Sequence, residues 1–214
     1  MKQLFLWISF FAFVAVSCNP KKQVPFDYGN VVNNIYKNNF FQFKLQVPHG
    51  WKVLSKDEKK KLSEKGRDYI TQGNEGMKDA FKASEINTAN LLSIFRYEVN
   101  PEEEYNCNFI IMAENLKNNP KIKNGEDYLY VTKQVIQKTN IQISSADSKF
   151  EKVKLGGRDF FRMNMTLSVM GMEIQQSYFA LLDQGFALGM VMSYVTESDK
   201  KLLDDCIHSV TFNN

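Results

Sequence analysis

Phe161-Arg162-Met163-Asn164-Met165-Thr166-Leu167-Ser168-Val169-Met170-Gly171-Met172-Glu173-Ile174-Gln175-Gln176-Ser177-Tyr178 is the stretch that decides the fold. Phe161, Met163, Met165, Leu167 and Val169 alternate with Arg162, Asn164, Thr166 and Ser168. That two-residue period belongs to a β-strand with one dry face, since successive side chains leave on opposite sides. A two-residue turn at Met170-Gly171 pairs Leu167 with Ile174, Met163 with Tyr178, Thr166 with Gln175 and Asn164 with Ser177. Polar meets polar and apolar mostly meets apolar, so the register is self-consistent, with Met165 facing Gln176 as the exception. Asp183-Gln184-Gly185 then suits a three-residue loop with Gly185 in the left-handed conformation. This register pairs Ala180 with Leu188 and Tyr178 with Met190, and carries the dry face on through Phe186, Leu188, Met190, Met192 and Tyr194. A two-residue loop would move that row to the wetter face.

Working outward, residues 31–37 and 40–47 read as two strands around the turn Asn38-Asn39. Ser55 and Glu58 have the spacing of a capping box that opens a lysine-rich helix to about Gln72, with Leu62, Tyr69 and Ile70 facing inward. Residues 73–90 are polar, part helix and part loop. Residues 91–99 and 105–116 read as a second strand pair. Tyr128, Val131, Val135 and Ile136 have the spacing of one helix stripe. Residues 150–155 supply a strand before Arg158, and Ser198 can cap a last helix with Leu202, Leu203, Cys206, Ile207 and Val210 on its apolar side. Hairpins that adjoin without crossover helices make an antiparallel sheet, so the class is α+β, with helices packed on the sheet.

The chain has 214 residues, 43% hydrophobic and 13% aromatic, enough for one domain with a substantial core. Its formal net charge of +3 is too small over such a surface to argue for nucleic acid. The leader is distinct. Lys2 precedes an apolar run from residue 4 to 16, broken only by Ser9, which as a helix reaches about 20 Å, short of a hydrocarbon core of about 30 Å. It reads as a cleaved signal rather than a permanent span. Ala15-Val16-Ser17-Cys18 resembles a lipobox, the motif whose cysteine is acylated and becomes the new N-terminus; alanine stands at 15 where leucine is commoner. That resemblance implies a signal peptide over 1–17, a lipidated tether over 18–30 and a single domain over 31–214. With Asn19 rather than Asp after Cys18, it also implies an envelope protein carried to the outer membrane and facing the periplasm.

Cys107 falls on a strand face with Phe109 and Ile111, and Cys206 on the apolar helix stripe, so two buried thiols are favoured over a disulfide. Neither has the neighbours of a redox or metal motif. The two histidines, His49 before Trp51 and His208 late in the last helix, fit turn and cap roles better than catalytic ones. There is no Gly-x-Ser-x-Gly elbow, His-Glu-x-x-His pair, P-loop or dinucleotide fingerprint, which argues against those enzyme families; no catalytic residue, metal or cofactor is expected. Glu102-Glu103-Glu104 reads as solvated turn charge rather than a cation site, and Lys59-Lys60-Lys61 as a solvated helix face rather than a lipid contact. One surface carries a sharper expectation. The wetter side of the last hairpins would display Arg162, Asn164, Thr166, Gln175, Ser177, Gly189 and Ser193, a shallow floor for a peptide or small polar ligand.

Phe43-Lys44-Leu45-Gln46-Val47-Pro48-His49-Gly50-Trp51, Val153-Lys154-Leu155-Gly156-Gly157 and Ser209-Val210-Thr211-Phe212 together resemble the PsbP-like group, which includes bacterial DcrB-type lipoproteins. The resemblance covers residues 35–212 and rests on structural motifs: a strand-ending proline, a turn glycine and a packing tryptophan. It implies a PsbP-like sandwich. It also implies a noncatalytic binding or accessory role, with protein, peptide or a small polar molecule as partner beside the membrane that holds the anchor. A hydrolase with a dispersed site, or a structural surface lipoprotein, are the alternatives. Fractionation of producing cells should place the native protein with membranes and a Cys18→Ala form outside them; identical distributions would remove the anchor.

Overall fold

The computed structural model describes residues 25–99 and 105–213. The leader, Cys18 and Glu102-Glu103-Glu104 lie outside the described residues. Four short strands come first: β1 (Asn30–Val32), β2 (Ile35–Asn38), β3 (Phe43–Gln46) and β4 (Lys52–Val53). Helices α1 (Lys56–Thr71) and α2 (Glu75–Asn87) follow, then strands β5 (Thr88–Phe95) and β6 (Asn108–Asn115) and helix α3 (Gly125–Gln137). The last third holds β7 (Gln142–Ala146), β8 (Glu151–Leu155), β9 (Arg158–Val169), β10 (Met172–Asp183), β11 (Phe186–Tyr194), α4 (Glu197–His208) and β12 (Thr211–Phe212). A small sheet runs β1-β2-β3-β12, and a large one β4-β5-β6-β11-β10-β9-β7, with β8 also paired to β9. Strand pairs in both are antiparallel, as in the α+β class expected.

The β9–β10 register is the one read from the residues: Leu167 opposite Ile174, Thr166 opposite Gln175, Asn164 opposite Ser177 and Met163 opposite Tyr178. Met170 and Gly171 sit at φ 51° and 80°, the double left-handed turn whose twist matches that of the strands it joins.

The β10–β11 loop differs from expectation. Its turn is the two residues Gln184 and Gly185, at φ 50° and 82°, and Asp183 pairs with Phe186. Leu181 therefore opposes Leu188, and Tyr178 opposes Val191 rather than Met190. A non-glycine residue in left-handed backbone is strained; here the Gln184 amide donates to the Phe40 carbonyl, a tertiary contact that holds it. A one-residue change of register turns a strand over, so the Phe186-to-Tyr194 row faces away from the Met163 row.

Both faces of the large sheet are consequently dry. On one, Phe109, Ile111, Leu188 and Met190 pack with Phe43 and Leu45 of the small sheet and with Leu203 and Ile207 of α4. On the other, Met163, Met165, Leu167 and Ala180 lie under Tyr128 and Leu129 of α3.

Local corrections follow from the same contacts. The expected 31–37 strand breaks at Asn33 and Asn34, both left-handed, into the β1–β2 hairpin. The Ser55–Glu58 capping box is present, with hydrogen bonds of 2.7 and 3.3 Å, but Tyr69 stands 40% exposed instead of inward. α3 turns Tyr128, Leu129 and Ile136 to the sheet and leaves Val131 and Val135 40% and 41% exposed, so half of the expected stripe packs and half does not. Thr196, not Ser198, caps α4 by accepting from the Asp199 amide at 3.1 Å. Phe26 packs its ring 5.1 Å from Phe40 and 5.2 Å from Phe186, so the end of the expected tether belongs to the domain. Cys107 and Cys206 are free and buried in one core, and that burial pushes both thiols up to about 12.

α3 is seated unusually close. A Cβ on Gly125 would lie 2.2 Å from the Ala180 carbonyl oxygen of β10. Gly125→Ala must push the helix off the sheet, and should lower stability in urea unfolding by about 2 kcal/mol.

Candidate functional site

The second dry face is covered unevenly. α3 lies over β9 and β10, while α2 lies against β5. Between them, over β6 and β11, the sheet is left open as a cleft of about 770 Å³. Met112, Gly189 and Val191 make its floor; Tyr128, Thr132, Val135 and Ile136 its α3 wall; Phe81, Ser84 and Glu85 the wall on α2. This size and mostly apolar lining are those of small-molecule sites.

Each wall has a local cause. Gly189 keeps the floor low: a Cβ there would meet Met112 Cγ at 3.3 Å and Tyr128 Cε1 at 3.9 Å. The α1–α2 seam is polar, with Arg67 on Glu85 at 2.5 Å and the Ser63 hydroxyl donating to Glu85 at 2.7 Å. Those groups hold the two helices to each other, and Phe81 is left to line the cleft.

Two carboxylates line this mostly apolar space, Glu85, which is paired with Arg67, and Glu114. Glu114 of β6 is half-buried, and its Oε2 accepts the Tyr128 hydroxyl at 3.0 Å. Burial raises its pKa above the ordinary glutamate value, the tyrosine bond opposing this in part. The Tyr128 phenol is raised as well, first by its own burial and then by the charge beside it. Among the described residues no Lys or Arg forms an ion pair with Glu114; Glu85 is engaged by Arg67, and Lys121 stands exposed at the mouth.

The surface expected from the sequence is partly assembled elsewhere. Arg162, Asn164, Thr166, Gln175 and Ser177 share one face of β9 and β10. Most of their polar groups are already engaged: Arg162 pairs with Glu151, Asn164 Nδ2 donates to Asp147 at 3.0 Å, and Thr166 meets Ser145 at 3.0 Å. Ser177, 5% exposed, donates to Asn164 at 2.8 Å. Only a cleft of about 180 Å³ remains beside Asn164, Thr166 and Gln175. Ser193 and Gly189 are on the opposite face, because the shorter loop turned β11 over. Ser193 is buried there, bonded to the Tyr105 hydroxyl and, at 3.0 Å, to the Gln176 amide.

His49 is exposed, and His208 is exposed with Nδ1 2.7 Å from the Asp204 carbonyl; neither lines the large cleft. Lys59 departs from the solvated face expected of it, donating to the Asn90 and Leu91 carbonyls at 3.1 and 3.3 Å, whereas Lys60 and Lys61 are exposed. The sequence reading missed the large cleft. Its signals were a glycine inside a strand, which marks a close approach or an open floor, and Glu114 on a strand face otherwise carrying Ile110 and Met112.

No protein-family model matches the chain, and no curated protein does. It is similar to a solved structure from Bacteroides thetaiotaomicron at 10% identity and a TM-score of 0.42, covering 81% of this chain but 46% of that one. It is also similar to the solution structure of cyanobacterial PsbP from Synechocystis sp. PCC 6803, at 10% identity and a TM-score of 0.49, covering 86% and 96% of the two chains. A third is LpqN, involved in cell envelope biogenesis of Mycobacterium tuberculosis, at 14% identity and a TM-score of 0.42, covering 80% and 83%. These likenesses concern the fold alone.

Glu114 makes a prediction about pH. With its pKa raised in the folded state, folded protein holds the proton more tightly than unfolded chain does. Stability is then fullest below the ordinary value of 4.5 and falls as pH rises from there through the raised one. Glu114→Gln, whose amide oxygen still accepts from Tyr128, should melt at a higher temperature than the native protein at neutral pH. The two melting points should converge near about pH 4.

Proposed function

We propose that the protein is a noncatalytic envelope module, lipid-anchored through Cys18 at the outer membrane, which holds an amphiphilic ligand in the cleft between α3 and the α1–α2 pair. The observation that carries this reading is the cleft itself: about 770 Å³ of mainly apolar lining, with the Glu114 carboxylate on its β6 side. An open apolar face inside a folded domain is costly in water, and a ligand that fills it recovers the burial. The cleft shifts the ligand from the small polar molecule first expected toward one with an apolar body.

Anchoring supports the same reading. Among the described residues no helix is long and apolar enough to cross a membrane; the proposed attachment is through Cys18, which the lipobox resemblance marks for acylation. A tether keeps the domain close to the bilayer, where amphiphiles partition, and raises its effective concentration toward partners. The hydrolase alternative needs a histidine that meets a nucleophile and a carboxylate in a cleft. His49 and His208 are both exposed and outside this one, and Cys107 and Cys206 are buried on the other side of the sheet.

The test is fluorescence of N-phenyl-1-naphthylamine, an uncharged probe that brightens in apolar surroundings. Titration of the purified native protein should saturate at one site. Val135→Trp places an indole at the mouth of the cleft from a side chain 41% exposed, so it should leave the melting temperature unchanged and remove the signal. Equal probe binding by a folded Val135→Trp protein would overturn the assignment.

A further inference from the structure

We propose that the ligand of this cleft is a cationic amphiphile, an apolar chain ending in an ammonium group, with Glu114 as its counter-ion. The inference rests on the reading of the cleft as a ligand site and adds the chemical class of what fills it. The apolar walls require an apolar body, and the carboxylate requires something different.

Glu114 Oε2 is occupied by the Tyr128 hydroxyl, and Oε1 has no hydrogen-bond partner among the described residues. A carboxylate drawn partly out of water without a cation is costly, which is why such groups are ordinarily paired. Among the described residues none supplies that cation to Glu114: Arg67 is bound to Glu85 on the other wall, and Lys121 is exposed at the rim. A hydroxyl would satisfy the oxygen and leave the charge uncompensated; a carboxylate would repel it. An ammonium group does both.

The surroundings suit a head group there with its chain alongside. Across the sheet Glu114 faces Thr88 on β5 and Ala187 on β11, two small neighbours. The Tyr128 ring that orients the carboxylate also borders the bare floor at Gly189, where its Cε1 is 3.9 Å from the position a Cβ would take. The seat for the charge and the trough for the chain are therefore continuous.

The experiment displaces N-phenyl-1-naphthylamine with dodecylammonium, dodecanol or dodecanoate at neutral pH, the ions below their micelle concentrations and the alcohol below its solubility limit. Dodecylammonium should displace the probe from the native protein at a concentration at least about tenfold below that of dodecanol. Glu114→Gln should bring the two together while the probe still binds. Glu126→Gln, an exposed charge at the start of α3, should leave the preference intact. Equal displacement by dodecylammonium and dodecanol, a preference for dodecanoate, or an ammonium preference that survives Glu114→Gln would overturn the counter-ion assignment while leaving the cleft as an apolar site. Failure of the probe to bind at all would instead overturn the broader reading.

Discussion

Because β9, β10 and β11 direct Phe160, Leu188 and Met190 one way and Met163, Met165 and Leu167 the other, the large sheet cannot lie against water on either side. Each such side chain removed from water contributes about 1.5–3 kcal/mol, so two covers are needed rather than one. The small sheet and α4 form the first, and α3 the second. The order of elements follows from this. The chain lays down three strands of the small sheet and then all of the large one, packs α4 into the core between them, and closes with β12 against β3, so that both ends of the domain meet in one core.

The two covers are of unequal width. A sheet can match a sheet strand for strand, but one helix of 13 residues spans only part of an eight-stranded sheet. α3 takes β9 and β10, and the α1–α2 pair stays beside β5, bound to itself by Arg67, Glu85 and Ser63. What is left between them is a consequence of helix width and of a polar seam that prefers its own partner. The site is thus a gap in the second cover, floored by the same strands whose other face completes the main core.

Local pattern carried much of this. The alternation from Phe161 to Val169 and the Met170-Gly171 turn gave the β9–β10 register pair by pair, because both depend on residues next to one another in sequence. The Gln184-Gly185 turn departs from expectation because the longer loop follows from assuming a single dry face, whereas both faces of this sheet are packed; what holds Gln184 left-handed, the Phe40 carbonyl, lies 144 positions away. That single residue of register moved Ser193 and Gly189 off the expected polar surface. The α3 stripe failed in part for a related reason: Val131 and Val135 have core-like spacing yet line the open cleft. Periodicity identifies an apolar face without saying whether another part of the chain will cover it. The lateral positions of α2 and α3, and so the cleft, are set by tertiary contacts that no local window contains.

The two thiols of the main core carry a consequence for their chemistry. Burial raises both thiols well above the usual cysteine range, with the Asp199 charge adding to the rise at Cys107, and little of either side chain meets solvent. Folded protein should pass unmarked among oxidants, disulfide-exchange catalysts and alkylating reagents that seize an ordinary surface cysteine. Reactivity returns only when the sandwich parts, so the modification rate of Cys107 and Cys206 serves as a native clock for how often that happens.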